Sequence, residues 1–344
     1  MDAAGATLAE ETPFTPPEIV RPGRTSTASW PLIDRLAHRL CWAVGIGLCL
    51  VTFALVLFMF LKGVSYMRYS LLVEPPSPSL VQSQSGGFRD PLLGSFIVTA
   101  IGILIAAPAG VAIAVWMSEY HRPAALARAV DLGVEMISGA PSVILALFGL
   151  YVFSRPFLGF LSGSAAKGTV TGQSFLTAGA TMALLALPLI VGATREALAQ
   201  VPDRMREASY ALGKTPARTI RRVLLPAIRP GIAGGVVLGM GRIIGDTAII
   251  TVLLGGSAQR IEGGGGPPVI DTLRGTGSTL TSYVFYNSPS GEGNAPQKAY
   301  AAAFVLLIIV LLLNALVTRL TLGAGEERRR PSRQSVTRRL AWTR

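Results

Sequence analysis

Apolar residues in this 344-residue chain come in long blocks rather than at helix or strand spacing. Five stretches hold no Asp, Glu, Lys or Arg: 40–61, 91–118, 136–154, 168–194 and 299–318. Each reaches the roughly 18 to 20 residues that a helix needs to cross a hydrocarbon core about 30 Å thick. A sixth block, 230–259, is long enough but is interrupted by Arg242 and Asp246. The pattern predicts an all-α membrane protein with six transmembrane helices.

Composition removes the soluble alternative. Half of the residues are hydrophobic and only 15% are charged, so six apolar blocks leave too little polar surface to clothe a water-soluble fold. The first block is not a cleavable leader, because 39 mostly polar, proline-rich residues precede it and no small-residue cleavage pattern follows.

The net charge of +12 matters through its distribution. With the N-terminus in the cytoplasm, inside segments hold 22 of the 31 Lys and Arg, eight of them in the central loop and eight at the C-terminus. Outside segments hold eight, and Arg242 lies within a span. The positive-inside rule then places both termini in the cytoplasm of a multi-pass plasma (inner) membrane protein. Topology accounts for the basic residues and aromatics are not interleaved with them, so nucleic acid is not expected as a partner.

Three regions follow. Residues 1–36 read as a disordered cytoplasmic tail, 37–322 as a six-helix transmembrane domain, and 323–344 as a basic cytoplasmic tail. The loop at 62–90 carries PPSPS and SQSGG and lies outside. Gly94, Gly102 and Gly110 in the second span suit close helix packing, and Pro108 would kink it. SEYHRPAALARAVDLGVEMISGAPS returns through the cytoplasm as an amphipathic element, with Gly139 and Pro141 opening the third span. Cys41 and Cys49 fall inside the first span without a ligand cluster, so they read as small apolar packers. His38 and His121 flank membrane ends and carry no expected chemistry. No metal site is expected.

The cytoplasmic loop at 194–229 is punctuated rather than floppy. Pro202 and Asp203 suit the start of a helix running to about Leu212, with Met205, Ala208, Ser209 and Leu212 on one small apolar face. Gly213 can take the left-handed conformation that ends a helix. Thr215 and Pro216 then read as cap and first residue of a second short helix, which displays Arg218, Arg221 and Arg222 and ends near Pro226. Anionic headgroups would account for the arginines but not for the glycine and proline punctuation, which points to a knob that docks on a partner. Gly213, Lys214 and Thr215 look like the end of a phosphate-binding loop, yet that loop needs glycine where Ala208 stands. No nucleotide site is visible, and no covalent chemistry is expected.

EASYALGKTPARTIRRVLLP, residues 207–226, resembles the pattern E-A-A, three residues, Gly, nine residues, Ile, one residue, Leu-Pro that marks permease subunits of bacterial ABC importers. Ser209 replaces the second alanine and Val223 the isoleucine, with the spacing kept. The resemblance implies a type I importer permease fold of the methionine-importer kind. It further implies that Glu207, Ala208, Gly213, Arg218, Leu225 and Pro226 belong to coupling helices seated in a cleft of a separate ATPase. ATP and Mg would be bound by that ATPase, with no cofactor in this chain. Implied partners are a second homologous permease of the C type, two ATPase subunits, an extracytoplasmic phosphate-binding protein and the lipid bilayer.

Within that superfamily, MGRIIGDTA at 240–248 resembles the A-R-x-x-G-E-T-A segment of phosphate importer permeases, nearer to the A type than to the C type. Asp246 stands where the family commonly has Glu. Gly192 and Arg195 stand where it commonly has Arg and an acidic residue, so that charge pair is not carried over.

Arg242 and Asp246 lie four apart on one expected helix, hence on one face. An intramembrane arginine is costly unless it faces an aqueous cavity or a partner. Two compatible readings stand: an ion pair with Asp246 that holds the fifth span in register, and a substrate site at Arg242 and Asp246 in which the carboxylate holds the guanidinium until phosphate displaces it and is gripped bidentately. Gly239, Gly241 and Gly245 leave room for an anion or for a close helix. The C-type partner permease, a permease for another oxyanion, an anion channel, which has no use for the knob, and a proton-coupled secondary anion transporter with Asp246 as carrier are the alternatives. The last should show internal repeats or matched broken helices, neither of which is evident in the sequence.

Overall fold

The computed structural model describes residues 32–76, 86–120, 123–163, 171–255, 261, 267–291, 293 and 295–326. The expected N-terminal tail as far as residue 31, the basic tail from 327 and His121 lie outside the described residues.

Among the described residues, four helices are long and apolar enough to span a membrane: α1 (Leu32–Tyr66), α3 (Arg89–Val115, extended by a π-helical turn, Trp116–Tyr120), α6 (Phe175–Ala199) and α14 (Pro296–Glu326). A short α2 (Tyr69–Val73) follows α1. The count reaches six when each of two bent pairs is taken as one span. The first pair is α4 (Ala124–Gly139) and α5 (Ser142–Phe153), bent by 112°. The second begins in the cytoplasmic loop and includes α10 (Arg229–Gly245), bent by 69°.

The first bend, and a separate break after α10, correct two expected straight spans. Ala140 precedes Pro141 and is extended, at ψ 133°, because the proline ring disfavours helical geometry in the residue before it. The expected span at 136–154 is therefore straight only over the 12 residues of α5. The expected span at 230–259 is also broken, because Asp246 is extended at φ −83° and ψ 127° and helix resumes only as α11 (Ala248–Leu254). Broken helices are thus present here, contrary to the sequence-based expectation.

The N-terminal unit is a length of single helix. Along α1 up to Leu57 no residue is buried, which is how a helix looks when lipid or another subunit is its solvent.

The second unit, from Phe58 onward, is built on α3, α6 and α10. Small residues let these helices approach. A Cβ on Gly110 would lie 2.8 Å from Ile190, one on Gly179 2.5 Å from Ile101, and one on Gly102 2.8 Å from Ile243. Without a hydrophobic drive between helices in lipid, such close approach supplies the dispersion contact that holds them. The packing role expected of Gly102 and Gly110 is realised. A core of Val98, Ala106, Phe175, Met182, Ile190, Ile249 and Leu253 fills the middle, with α5 and α11 packed against it. An outer cluster joins α13 (Leu280–Asn287) to α14 through Leu280, Tyr283, Ala301 and Val305, with α12 (Pro268–Arg274) nearby in sequence. A third cluster, the inner cluster, of Leu198, Val201, Ile220, Leu224 and Ile228 seats the loop at 194–229.

Candidate functional site

The loop at 194–229 folds as the turn residues dictate. α7 (Asp203–Ala211) follows Pro202, and Gly213 ends it at φ +71°. Proline then opens α8 (Pro216–Thr219), which runs through a π-helical turn (Ile220–Leu224) into α9 (Leu225–Ala227). Ile220 and Leu224 anchor this second arm in the inner cluster, while the Ser209 and Thr219 hydroxyls hydrogen-bond at 2.8 Å in a buried site. The serine that replaces the usual alanine therefore ties the two arms together.

The outward side of this knob is unpartnered in the single chain. Glu207, Ala208, Gly213, Arg218, Arg221 and Arg222 are exposed, as are Met205, Tyr210 and Leu212, the last at 76%. Leu225 and Pro226 are half-buried where the knob joins the membrane region. Of the apolar face expected on α7, Ser209 alone is turned inward. An exposed Met, Tyr and Leu beside arginines form a surface that a protein cleft can cover.

Sequence reading missed Arg206. Its guanidinium makes five hydrogen bonds, as many as it has N–H donors: two to Glu119 Oε1 (3.3 and 3.0 Å), and one each to the carbonyls of Val201 (2.9 Å) and Leu198 (3.2 Å) and to Asp203 (3.0 Å). Burial alone would lower its pKa, but Glu119 and Asp203 more than offset that and raise it above the ordinary arginine value. The charge is fixed. Ser118, Glu119, Gln200, Pro202 and Arg206 line a cleft of about 500 Å³. The signal that could have found this residue was a run of helix-ending carbonyls at 198–201 with an arginine a few positions on.

Arg242 and Asp246 do not form the expected pair. α10 ends at Gly245, and the Asp246 carboxylate accepts a hydrogen bond from the Ile249 amide at 3.0 Å, capping α11. Asp246 is 8% exposed, whereas Arg242 is exposed and has no ion pair among the described residues. The carbonyl of Ile244 at the break accepts from the Thr281 hydroxyl, so α13 braces the gap. One helix carrying both residues on one face is therefore incorrect, and the ion-pair reading goes with it.

The glycines of α10 divide between two faces. Gly231, Gly235 and Gly239 pack on α6; a Cβ on Gly231 would lie 2.3 Å from Ala197, one on Gly235 3.0 Å from Ala193, and one on Gly239 3.3 Å from Ala186. Gly234, Gly241 and Gly245 meet nothing within 4 Å and share an open face with Leu238 and Arg242. By helical spacing 234, 238, 241, 242 and 245 lie within one stripe of α10, and Gly231, though close to that stripe in angle, meets α6 at the other end of the helix. Of the three glycines expected to leave room for an anion or a close helix, Gly239 admits α6, while Gly241 and Gly245 face open space. The open face can receive an anion at a guanidinium without displacing an internal carboxylate.

At the inner end of α6, Arg195 pairs with Asp131 of α4 and Gly192 faces open space. A charge pair therefore exists at this level with its acid supplied by α4. Among the described residues no group of His, Cys, Asp and Glu could hold a metal ion, and Cys41 and Cys49 are free on α1.

Comparisons with known proteins agree with this architecture. Residues 106–322 match the family described as "Binding-protein-dependent transport system inner membrane component". The phosphate transport system permease protein PstA 1 of Mycobacterium tuberculosis is 31% identical over 254 residues, covering 73% of this chain and 75% of the relative. PstC of Haemophilus influenzae, of the same transport system by name, is 30% identical over 253 residues, covering 69% and 77%. Among solved structures, a chain of a bacterial alginate ABC transporter, crystallised with its alginate-bound periplasmic protein, superposes with a TM-score of 0.54 at 17% identity over 84% of this chain and 96% of that one, which speaks to the fold. With the multi-pass helices, the knob and the matched span taken together, this chain belongs to the family of binding-protein-dependent transport system inner membrane components.

Proposed function

We propose that this chain is the transmembrane permease subunit of an ATP-driven importer of inorganic phosphate, forming half of the translocation pathway. The observation that carries the reading is the combination of an exposed knob with a guanidinium on the open face of α10 that has no ion pair among the described residues, in a chain whose relatives are named phosphate transport permeases.

The open faces of α10 and α1 call for a second, homologous permease. The knob calls for an engine, so two ATPase subunits that bind ATP and Mg seat Glu207, Ala208, Gly213, Arg218, Leu225 and Pro226 in their clefts. An extracytoplasmic binding protein delivers phosphate to the outer loops. ATP-driven closure of the ATPases moves the knobs, and the cavity at Arg242 changes its exposure from one side of the membrane to the other. A planar guanidinium matches two phosphate oxygens at once, which a lysine ammonium does not. One arginine does not neutralise a doubly charged anion, so the second permease supplies further positive groups. The charge asymmetry of the loops orients both termini to the cytoplasm. The A-type resemblance at 240–248 puts this chain in the A position of the pair; the C position, or another oxyanion as cargo, is the second reading.

The test is uptake of labelled phosphate into vesicles holding the reconstituted complex, with and without the ATPase subunits, against sulfate and other oxyanions as competitors. The proposal expects uptake that requires the ATPase and ATP and is displaced only by phosphate-like anions. Uptake driven by a proton gradient without the ATPase would contradict it.

A further inference from the structure

The knob is joined covalently to α6 before it and to α10 after it, but not to α3. We infer that the Glu119–Arg206 pair is the strut that makes α3 follow the knob. This rests on the reading of the knob as the point where an ATPase pushes.

Arg206 sits on α7, and Glu119 lies 87 residues earlier in the π-helical turn that ends α3. The two side chains are 20% and 10% exposed, so water competes little for the contact. Both Nε and Nη2 bind the same Glu119 oxygen, while Nη1 and Nη2 hold the carbonyls of Val201 and Leu198 at the end of α6. One planar group thus joins three elements: the end of α3, the end of α6 and the first turns of the knob. Val115 packs on the inner cluster beside it, giving the joint an apolar floor. A π turn is a site where a helix departs from its regular ladder, and here it carries the acid end of the strut. α3 in turn packs on α6 and reaches Ile243, the neighbour of Arg242, through Gly102. A push on the knob therefore reaches α10 through α6 and α3 in step. Lysine would reach Glu119 or the carbonyls, but not all of them.

Glu119→Gln and Arg206→Lys are made singly and together in the assembled complex, and phosphate taken up per ATP hydrolysed is measured. The inference expects ATP hydrolysis within about twofold of wild type, uptake per ATP reduced about tenfold in each single variant, and little further loss in the double variant, because both changes break one link. Spin labels at Leu104 on α3 and Arg204 on α7 give a second readout that needs no substrate. Their separation should stay fixed through ATP binding in the wild type and broaden in Glu119→Gln. An unchanged uptake-to-ATP ratio in both single variants, additive losses, or a label distance insensitive to Glu119→Gln would overturn the strut, as would failure of both variants to assemble, which would make the pair a folding staple. A wild type that carries no phosphate would remove the substrate assignment and leave the label measurement to decide the strut.

Discussion

The Asp246 carboxylate accepts the Ile249 amide at 3.0 Å, so the acid four positions after Arg242 caps the next helix instead of holding the guanidinium. Asp246→Asn keeps a capping oxygen and should leave uptake within about twofold of wild type. Asp246→Ala loses the cap and should cost about 1 kcal/mol of stability, read as a lower midpoint of thermal unfolding in detergent. Loss of uptake in the asparagine variant would show that the negative charge itself is used.

Why the sequence misplaced this pair is a matter of period and punctuation. GRIIGDTA contains no proline, and a four-residue spacing is the spacing of one helix face, so continuity was the natural reading. What breaks the helix is tertiary: α13 supplies Thr281 to Ile244, and Asp246 trades helical geometry for a cap. The bend before α5, by contrast, was marked by Gly139 and Pro141, though not its size. The knob was legible almost residue by residue because glycine and proline act locally. Arg206 was not, because its chief partner lies 87 residues away.

At Gly213 the backbone, not space, is the constraint: φ is +71° and a Cβ would meet nothing within 4 Å. Gly213→Ala should cost about 1–2 kcal/mol of local strain, whereas Gly213→Asn tolerates the left-handed region. Measured uptake should fall by up to about tenfold in the alanine variant and stay near wild type in the asparagine variant. Equal losses in both would mean that an ATPase needs the bare glycine surface.

Ser209 and Thr219 share a buried hydroxyl contact at 2.8 Å. Ser209→Ala leaves the threonine hydroxyl without its partner and should cost about 1–3 kcal/mol. Adding Thr219→Val, which removes that hydroxyl at nearly constant shape, should recover most of the loss. Thermal unfolding of the purified complex reads both steps, and no recovery would indicate that Thr219 serves another group.

The two glycine faces of α10 predict opposite defects. Gly231→Leu drives a side chain into Ala197, 2.3 Å from its Cβ, and should destabilise the isolated chain by about 1–3 kcal/mol or more. Gly234→Leu meets open space and should leave the isolated chain unchanged while weakening assembly with the second permease. Thermal stability of the chain alone and recovery of the full complex separate the two; matching defects would contradict the division of faces.

The account turns on Arg242, exposed on the open face of α10 and free of Asp246. The direct measurement is ATP-driven uptake of labelled phosphate by complexes carrying Arg242→Lys or Arg242→Gln, with assembly and ATP hydrolysis checked in each. The account predicts near-complete loss with glutamine and a partial defect with lysine, which keeps the charge but loses the two-pronged grip. Wild-type uptake in both assembled variants would contradict it.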